Sequence, residues 1–252
     1  MTSAFVSSRL SRQKMETAEA QAIEFQCEFG QLDASELLEV MINQKFSGNI
    51  ALVSSFGTEA AVLLALIAEI DRNTPVIFIE TGKHFPETLS YRDEISSILG
   101  LTDVRSINPS PIDLSAHDPD GHLWSKNPNL CCYLRKVLSL EKALSGFKSW
   151  VTGRKQYQAG ERVKLPKIEA SNGRIKINPL AEWDQFRIKN EFEARKLPLH
   201  PLTKEQYKSI GCLPCTRPVK IGEGDRDGRW SGIEKSECGI HTDPNRSKRL
   251  DI

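Results

Sequence analysis

Four cysteines of the 252-residue chain fall in two close pairs whose spacing is typical of metal ligands. Cys131 and Cys132 are adjacent, and Cys212 and Cys215 form a C-x-x-C further along the chain. Four thiolates hold Zn²⁺ in a tetrahedron or bind the irons of an iron–sulfur cluster. An adjacent pair fits the usual zinc knuckle poorly, so the spacing favours the cluster. Four ordinary buried thiols and, for the C-x-x-C, a redox pair are the alternatives.

Another cysteine, Cys238, stands in the segment E-C-G-I-H at 237–241, within a polar stretch that bears several glycines. Its neighbours lack the apolar periodicity of a core segment. Nearby basic residues would stabilise its thiolate, although Glu237 would oppose this; they are His241, Arg246, Lys248 and Arg249. The spacing alone leaves two interpretations open: a nucleophile on a swinging segment, or an incidental exposed thiol.

The segment 54–59, with the sequence S-S-F-G-T-E, stands between an apolar run and an apolar helical pattern. Backbone N–H groups at the start of a helix bind phosphate or sulfate oxygens. The segment matches neither the Walker loop nor the dinucleotide fingerprint. A plain strand–turn–helix connection explains it equally well, and Glu59 would oppose an anion unless its carboxylate points away.

Basic side chains follow several predicted strands and stand in glycine-bearing loops. Guanidinium groups match the oxygens of phosphate and sulfate, so this placement favours an anionic ligand. A solvated surface is the alternative, since it is the usual environment of Lys and Arg. The residues are Lys136, Arg154, Lys155, Arg162, Lys164, Arg226 and Arg229.

The remaining cysteine and four further histidines carry no recognisable motif. Cys27 has no partner and is interpreted as a core or surface thiol. Four histidines lack metal-ligand spacing and are assigned no role: His84, His117, His122 and His200. The stretch 108–129, rich in Pro, Asp and Gly, also has no assigned role.

Strand and helix patterns alternate through the first part of the chain. Apolar runs predict strands at 50–53, 75–79, 103–107 and 150–152. Helical periodicity predicts helices at 60–70, 87–99 and 130–144. This alternation implies βαβ units and an α/β fold with a mainly parallel sheet covered by helices on both faces. The loops after the strands, at 54–59, 80–86, 108–129 and 153–165, should therefore converge on one site, at the carboxyl ends of the strands.

The flanking segments are less regular. The first thirty residues are predicted to be loose helix or disorder, and a capping box of Asp33 and Glu36 then starts a helix. Residues 168–170 and 174–177 should pair across an Asn-Gly turn. Further helices are predicted at 183–196 and 203–210, the latter capped by Thr203. The chain divides into an N-terminal helical segment (1–47), an α/β domain (48–221) and a mobile C-terminal tail (222–252).

Composition narrows the class of protein. The net charge is +1, so the overall balance does not indicate a nucleic-acid partner. No apolar run approaches the ~20 residues of a membrane helix, and no secretory signal is recognisable. Clustered cysteines without an export signal are typical of a reducing cytoplasm. We therefore expect a cytoplasmic protein with neither a membrane nor a nucleic acid as partner.

As a set, the motifs resemble those of the assimilatory adenylyl-sulfate (APS) reductases, thioredoxin-dependent members of the phosphoadenylyl-sulfate (PAPS) reductase family. The resemblance covers about residues 48 to 244 and includes both cysteine pairs and the E-C-G-I-H segment. The other matching motifs are Ser54–Glu59 (a degenerate PP-loop), Glu80–Lys83, Cys131–Lys136, Thr152–Arg154 and Asp227–Trp230. PAPS reductases lack the paired cysteines, so their presence here points to APS. Glu80, where Asp is more usual, and Phe85-Pro86 depart from the family pattern.

The resemblance implies an adenine-nucleotide α-hydrolase-like (PP-loop) fold. It implies a 4Fe–4S cluster on Cys131, Cys132, Cys212 and Cys215, acting electrostatically or structurally, with Cys238 as the nucleophile. The implied reaction reduces APS to sulfite and AMP through an S-sulfocysteine, in sulfate assimilation and cysteine biosynthesis. Thioredoxin or glutaredoxin would be the reductant. The expected substrate-binding residues are Ser54, Ser55, Gly57, Thr58, Thr81, Gly82, Lys136, Arg154, Arg226, Arg229 and His241.

Other functions remain as alternatives at this point. The first is a PAPS reductase. The second is a PP-loop ATP pyrophosphatase, for example in tRNA thiolation, although the regular S-G-G-x-D-S loop is absent. The third is a non-enzymatic zinc module that binds a partner or RNA. Assembly into a homo-oligomer also stays open.

Overall fold

Six short strands form one sheet at the centre of the computed structural model, which describes residues 2–158, 162–233, 235 and 237–241, with side chains from residue 13. The strands are β1 Ile50–Val53, β2 Val76–Ile79, β3 Val104–Ile107, β4 Ser149–Val151, β5 Ile168–Ser171 and β6 Arg174–Ile177. Their order is β3-β2-β1-β4-β6-β5, and every neighbouring pair is parallel except β5 and β6. The predicted α/β fold is confirmed.

Nine α-helices accompany the sheet in the described part of the chain. They are α1 Thr2–Phe29, α2 Ala34–Glu39, α3 Ala60–Ile70, α4 Pro86–Leu99, α5 Pro111–His117, α6 Leu123–Lys126, α7 Pro128–Cys132, α8 Leu138–Ala143 and α9 Gln185–Ala194. A π-helical turn, Tyr133–Val137, joins α7 to α8, so the predicted helix at 130–144 is present but locally widened. No helix among the described residues is long and apolar enough to cross a membrane.

Hydrophobic side chains form a core on each face of the sheet, because successive side chains of a strand point to opposite faces. Leu52, Val76 and Phe78 pack on one face with α3. Ala51, Ile77 and Trp150 pack on the other face. Eight of the eleven residues of α3 are buried, as its almost wholly apolar sequence requires.

Short sequence motifs predicted several elements of the fold correctly. The backbone N–H of Asp33 donates to Glu36 Oε2 at 3.0 Å, which confirms the capping box. The strands β5 and β6 pair across Asn172 and Gly173, whose φ angles of 52° and 71° suit a tight hairpin. Gly100 ends α4 with a φ of 65°, where a side chain would be strained.

One expectation was met in part and two were wrong. The first thirty residues were expected to be loose helix or disorder, and Thr2–Phe29 form the helix α1, which packs along the edge strand β5, where Gln26 Oε1 accepts the backbone N–H of Ile168 at 2.8 Å. The stretch 108–129 is no open loop, since it contains α5, α6 and the start of α7. The helix expected at 203–210 is a 3₁₀ turn, Pro201–Glu205, capped by His200 instead of Thr203 and ended by Gln206 at a φ of 66°.

The parallel strands bring their carboxyl ends to the same edge of the sheet. The segment 54–59 follows β1, 80–85 follows β2 and 152–158 follows β4. Because β2, β1 and β4 are neighbours in the sheet, these three connections lie side by side. Described residues between 208 and 241 lie at the same place and complete the site.

Candidate active site

A cavity of about 560 Å³ opens at the carboxyl ends of the strands. Its walls come from the connections after β1, β2 and β4 and from described residues between 208 and 241. Ten of the predicted residues line it: Ser54, Ser55, Gly57, Thr58, Lys136, Arg154, Arg226, Arg229, Cys238 and His241. The predicted convergence is confirmed for the loops after β1, β2 and β4, whereas no residue of the loop 108–129 belongs to the described lining of this cavity. The volume suits a nucleotide-sized ligand.

The segment after β1 owes its shape to Phe56, which adopts a φ of 51° and buries its ring against Phe78. Ser54 Oγ accepts the backbone N–H of Phe56 at 3.2 Å and so stabilises this turn. With Phe56 turned into the core, Ser55 and Gly57 face the cavity beside the start of α3. The result is a turn that presents backbone N–H groups where an anion is favoured.

The charge of Glu59, which stands just before α3, is compensated within the site. Lys155 Nζ lies 2.8 Å from Glu59 Oε2, and the hydroxyl of Tyr157 donates to Oε1 at 2.5 Å. Burial works to raise the pKa of Glu59, but Lys155 and its hydrogen bonds outweigh this and lower the pKa. Lys155 is only 2% exposed, and its burial lowers its own pKa. Glu59 therefore does not oppose an anionic ligand.

Two guanidinium groups of the cavity have a buried donor atom without a described partner. Arg154 is held by Glu169 and Asn178, whereas its Nε has no hydrogen-bond partner in the described structure. Arg229 donates to the carbonyl of Ile210 at 3.3 Å, and its Nε is likewise buried without a described partner. Burial also lowers the pKa of Arg154, although the group stays a cation at any ordinary pH. These donors fit an oxyanion in the cavity.

The four paired cysteines line a second, smaller cavity. Cys131 and Cys132 lie at the end of α7, whereas Cys212 precedes the 3₁₀ turn Leu213–Cys215 and Cys215 ends it. All four thiols are free of disulfides. Burial raises the pKa of Cys131 to about 12 and that of Cys132 to about 11. Thiols that are so strongly desolvated ionise readily only when cations lie beside them. A metal centre supplies such cations.

The connection after β2 anchors the C-x-x-C segment. The backbone of His84 pairs with that of Cys212, and the N–H of Leu213 donates to the carbonyl of Lys83 at 2.7 Å. Thr81 Oγ1 lies 3.3 Å from Cys212 Sγ. No group of His, Cys, Asp or Glu side chains within the described ranges could hold a metal ion by itself.

Lys136 connects the two cavities because it lines both of them. It stands on the π-helical turn one turn after Cys132 and is 8% exposed. Burial works to lower its pKa, but Cys212, Cys238 and Cys132 outweigh this and raise it. Lys136 is thus an ammonium group placed between the paired thiols and the thiol of the tail.

The described part of the tail lies against the large cavity. Cys238 is partly exposed and contributes to the cavity wall. Ile240 packs on the core beside Trp150, and the ring of His241 stacks on Trp150 with centroids 6.0 Å apart. Desolvation and four surrounding cations keep the pKa of His241 well below its usual value, so its ring is neutral. The predicted helpers Arg246, Lys248 and Arg249 lie outside the described residues.

Some residues were misplaced or missed by the sequence analysis. Thr81 and Gly82 are not part of the described lining of the large cavity and lie instead toward Cys212 and Arg135. Conversely, His84, which was assigned no role, lines that cavity. Lys176 carried no motif in the sequence, but it is 1% exposed and its ammonium group lies over the ring of Trp150, which also stacks on His241. The sequence signal that could have indicated its burial is its position in β6, where the side chain points inward.

Taken together, the strand order, the turn before α3 and the cationic cavity define an α/β protein of the adenine-nucleotide α-hydrolase-like (PP-loop) class. The family model for the phosphoadenosine phosphosulfate reductase domain matches residues 49–218. The chain therefore belongs to the phosphoadenosine phosphosulfate reductase family, and it is an enzyme that acts on sulfur.

Curated relatives and a solved structure agree with this assignment. A protein named adenosine 5′-phosphosulfate reductase from Chelativorans sp. is 44% identical over 225 residues, covering 89% of this chain and 92% of its own. One of the same name from Mesorhizobium japonicum is 48% identical over 213 residues, 84% of each chain. The crystal structure of PAPS reductase from Candida auris in a phosphate complex has a TM-score of 0.65 at 27% identity and covers 77% of this chain and 94% of that one.

Proposed function

We propose that this enzyme reduces APS to sulfite and AMP in assimilatory sulfate reduction, the route to cysteine. The observation that carries the proposal is the position of Cys238 in the wall of a cavity lined by Lys136, Arg154 and Arg229. A sulfated nucleotide offers several negative charges and an electrophilic sulfur to such a site. Relatives that are 44% and 48% identical carry the name adenosine 5′-phosphosulfate reductase, which supports APS as the substrate.

In the first step the thiolate of Cys238 attacks the sulfuryl sulfur of APS. A bond forms between Cys238 Sγ and this sulfur, and the bond from sulfur to the phosphate oxygen breaks. AMP leaves with that oxygen, and the enzyme retains an S-sulfocysteine. AMP is a stable leaving group, so the step needs alignment and charge neutralisation rather than a strong general acid. The free Nε groups of Arg154 and Arg229 are suited to this task.

In the second step an external dithiol reduces the enzyme. One of its thiolates attacks Cys238 Sγ, and sulfite leaves with the electron pair of the S–S bond. The second thiol of the reductant then attacks the mixed disulfide, which restores Cys238 and leaves the reductant as a disulfide. Thioredoxin or glutaredoxin has this chemistry and is kept reduced in the cytoplasm, which is therefore the proposed compartment.

A 4Fe–4S cluster is the proposed cofactor, with Cys131, Cys132, Cys212 and Cys215 as its ligands. Four free thiols line one cavity and form a donor set that suits it. When bound, the cluster supplies positive iron centres that balance the thiolates, while the dithiol pathway already accounts for both electrons. Lys136 then lies between this centre and the nucleophile, where its ammonium group stabilises negative charge on either side.

A comparison of two cysteine variants tests the proposal. Cys238→Ser should retain the iron content of the parent but release no sulfite from APS with thioredoxin present, because a hydroxyl cannot form the intermediate. Cys27→Ser is the matched control, since Cys27 is an exposed lone thiol far along the sequence. It should behave as the parent does. Sulfite release by Cys238→Ser at the parental rate would overturn the proposed mechanism.

A further inference from the structure

The residue before the proposed nucleophile is held by two arginines. Glu237 accepts two hydrogen bonds from Arg162, one from Nε at 2.7 Å and one from Nη2 at 3.0 Å. Arg226 Nη2 lies 3.4 Å from the same carboxylate. The side chains of Arg162 and Glu237 are only 9% and 14% exposed. This pairing is forked and shielded from water, the geometry in which an ion pair fixes a position most strongly.

The forked pair is connected to the substrate side of the cavity. Arg162 Nη1 also donates to Gln158, and Gln158 Nε2 donates to Glu59 Oε2 at 3.1 Å. Glu59 immediately precedes α3 and the turn proposed to bind the phosphate. A chain of hydrogen bonds therefore runs from that turn to the residue next to Cys238. Polar contacts therefore hold the tail in place relative to the anion site, in addition to the packing of Ile240.

The location of Glu237 is otherwise unfavourable for this enzyme. A carboxylate in a cavity for a polyanion repels the substrate, and a carboxylate next to Cys238 opposes thiolate formation. Both costs are reduced because Arg162 and Arg226 neutralise it. A carboxylate whose charge hinders both binding and chemistry must be useful for its contacts, and those contacts hold the tail.

We propose that Glu237 is a positioning residue: through Arg162 and Arg226 it holds Cys238 Sγ in the cavity, in the position for attack on the substrate. This inference rests on the proposed role of Cys238 as nucleophile. Glu237 itself does not contact the reacting atoms. Without its carboxylate, the tail keeps Ile240 and the stacked His241 as anchors but loses the contact adjacent to the thiol.

Two measurements on the same variants test the inference. The first is the rate at which iodoacetamide alkylates Cys238 in the full-length protein without substrate, followed by peptide mass spectrometry. The second is the single-turnover rate of adduct formation with APS. Glu237→Gln should be alkylated at least about threefold faster, because the tail opens more often. Its adduct should form about tenfold more slowly, a factor that one charge-assisted hydrogen bond is worth.

Glu237→Asp separates position from charge. It keeps the carboxylate but shortens the side chain by one methylene group. The carboxylate therefore no longer reaches the position in which it accepts both hydrogen bonds from Arg162. We expect it to shift both rates in the same directions as Glu237→Gln. A purely electrostatic role would instead accelerate both reactions in Glu237→Gln and leave Glu237→Asp unchanged, which would overturn the inference.

The matched control is Glu223→Gln. Glu223 also accepts a forked pair of hydrogen bonds, from Arg217 at 2.7 and 2.9 Å, but it is not part of the described cavity wall. Both rates should equal those of the parent. If the parent forms no adduct with APS while the Glu237 variants still expose Cys238, Glu237 holds Cys238 in the cavity as inferred, and the attack on the substrate is overturned together with the proposed chemistry. If the parent forms the adduct and both Glu237 variants match it in both rates, the inference is overturned.

Discussion

Replacing Glu59 by Gln should destabilise the protein through Lys155, which would lose its partner at 2.8 Å. The side chain of Lys155 is 3% exposed, so its ammonium group cannot turn to solvent, whereas Glu59 is 33% exposed. Breaking a fully buried ion pair costs about 3–5 kcal/mol. The partial exposure of Glu59 reduces this, and we expect about 2–3 kcal/mol. At about 2–4 °C per kcal/mol for a chain of this size, Tm should fall by about 4–12 °C.

The effect should depend on pH with a definite sign. Burial already lowers the pKa of Lys155, and loss of Glu59 lowers it further. An unfolded lysine has a pKa of about 10.4, so the unfolded variant binds a proton more readily than the folded one. Stability therefore rises as the pH increases through the folded pKa toward the unfolded pKa. The deficit in Tm should be larger at pH 7 than at about pH 9.5.

Scanning calorimetry at both pH values on anaerobic protein is the assay. Glu69→Gln is the matched control, because it removes a 56% exposed carboxylate from Arg195 at 2.8 Å. An exposed pair is worth about 0.5 kcal/mol, so Tm should change by only about 1–2 °C. Equal changes in Tm for Glu59→Gln and Glu69→Gln would refute the reasoning. A deficit that grows with pH would refute the assignment of the effect to a buried, charged Lys155.

Three further predictions concern the cysteines, the cavity and the backbone beside it. Cys212→Ser should lose iron, measured by iron content and visible absorbance, because one of four proposed ligands is gone. Arg154→Gln should lower kcat/KM for APS by about 10–150-fold, the value of a hydrogen bond to a charged group. Gly228→Ala should lower Tm and activity together, since a Cβ there would lie 2.2 Å from the carbonyl oxygen of Arg217.

Each of these predictions has a control and a contradicting result. Cys27→Ser should keep full iron, and full iron in Cys212→Ser would show that the ligand assignment is wrong. Arg187→Gln removes an exposed guanidinium paired with Asp33 and should leave kcat/KM unchanged. If kcat/KM fell as much in Arg187→Gln as in Arg154→Gln, Arg154 would have no specific role in substrate binding. Gly146→Ala meets nothing within 4 Å, so a Tm as low as that of Gly228→Ala would argue against the steric explanation.

The parallel part of the sheet could be predicted because its signals are local. Apolar runs of four residues and the all-apolar α3 can be read without knowledge of any partner. The helix α1 could not, because its order comes from packing on β5, which lies more than a hundred residues later. The turn at Pro201–Glu205 was missed because a left-handed residue, Gln206, ends it, and no residue type announces this.

The site could be predicted where residue type alone carries the chemistry. Cysteines and arginines in loops pointed to Cys238 and Arg154, and both line the cavity. Residues that act through partners were not accessible in this way. Lys155 and Glu59 neutralise each other across 96 positions of sequence, from 59 to 155, and only the fold brings them together. Lys176 looks like an ordinary strand residue until its burial against Trp150 is seen.

Intact mass spectrometry of the reduced, anaerobically purified protein tests the central claim most directly. The protein is mixed with APS in the absence of thioredoxin, and with PAPS in a parallel sample. The account predicts the gain of one SO₃ group with APS, mapped by peptide analysis to Cys238, and no such gain in Cys238→Ser. Gain with both nucleotides would mean that the paired cysteines do not enforce the choice of substrate. No adduct with either nucleotide, in brown protein with full iron, would contradict the covalent mechanism.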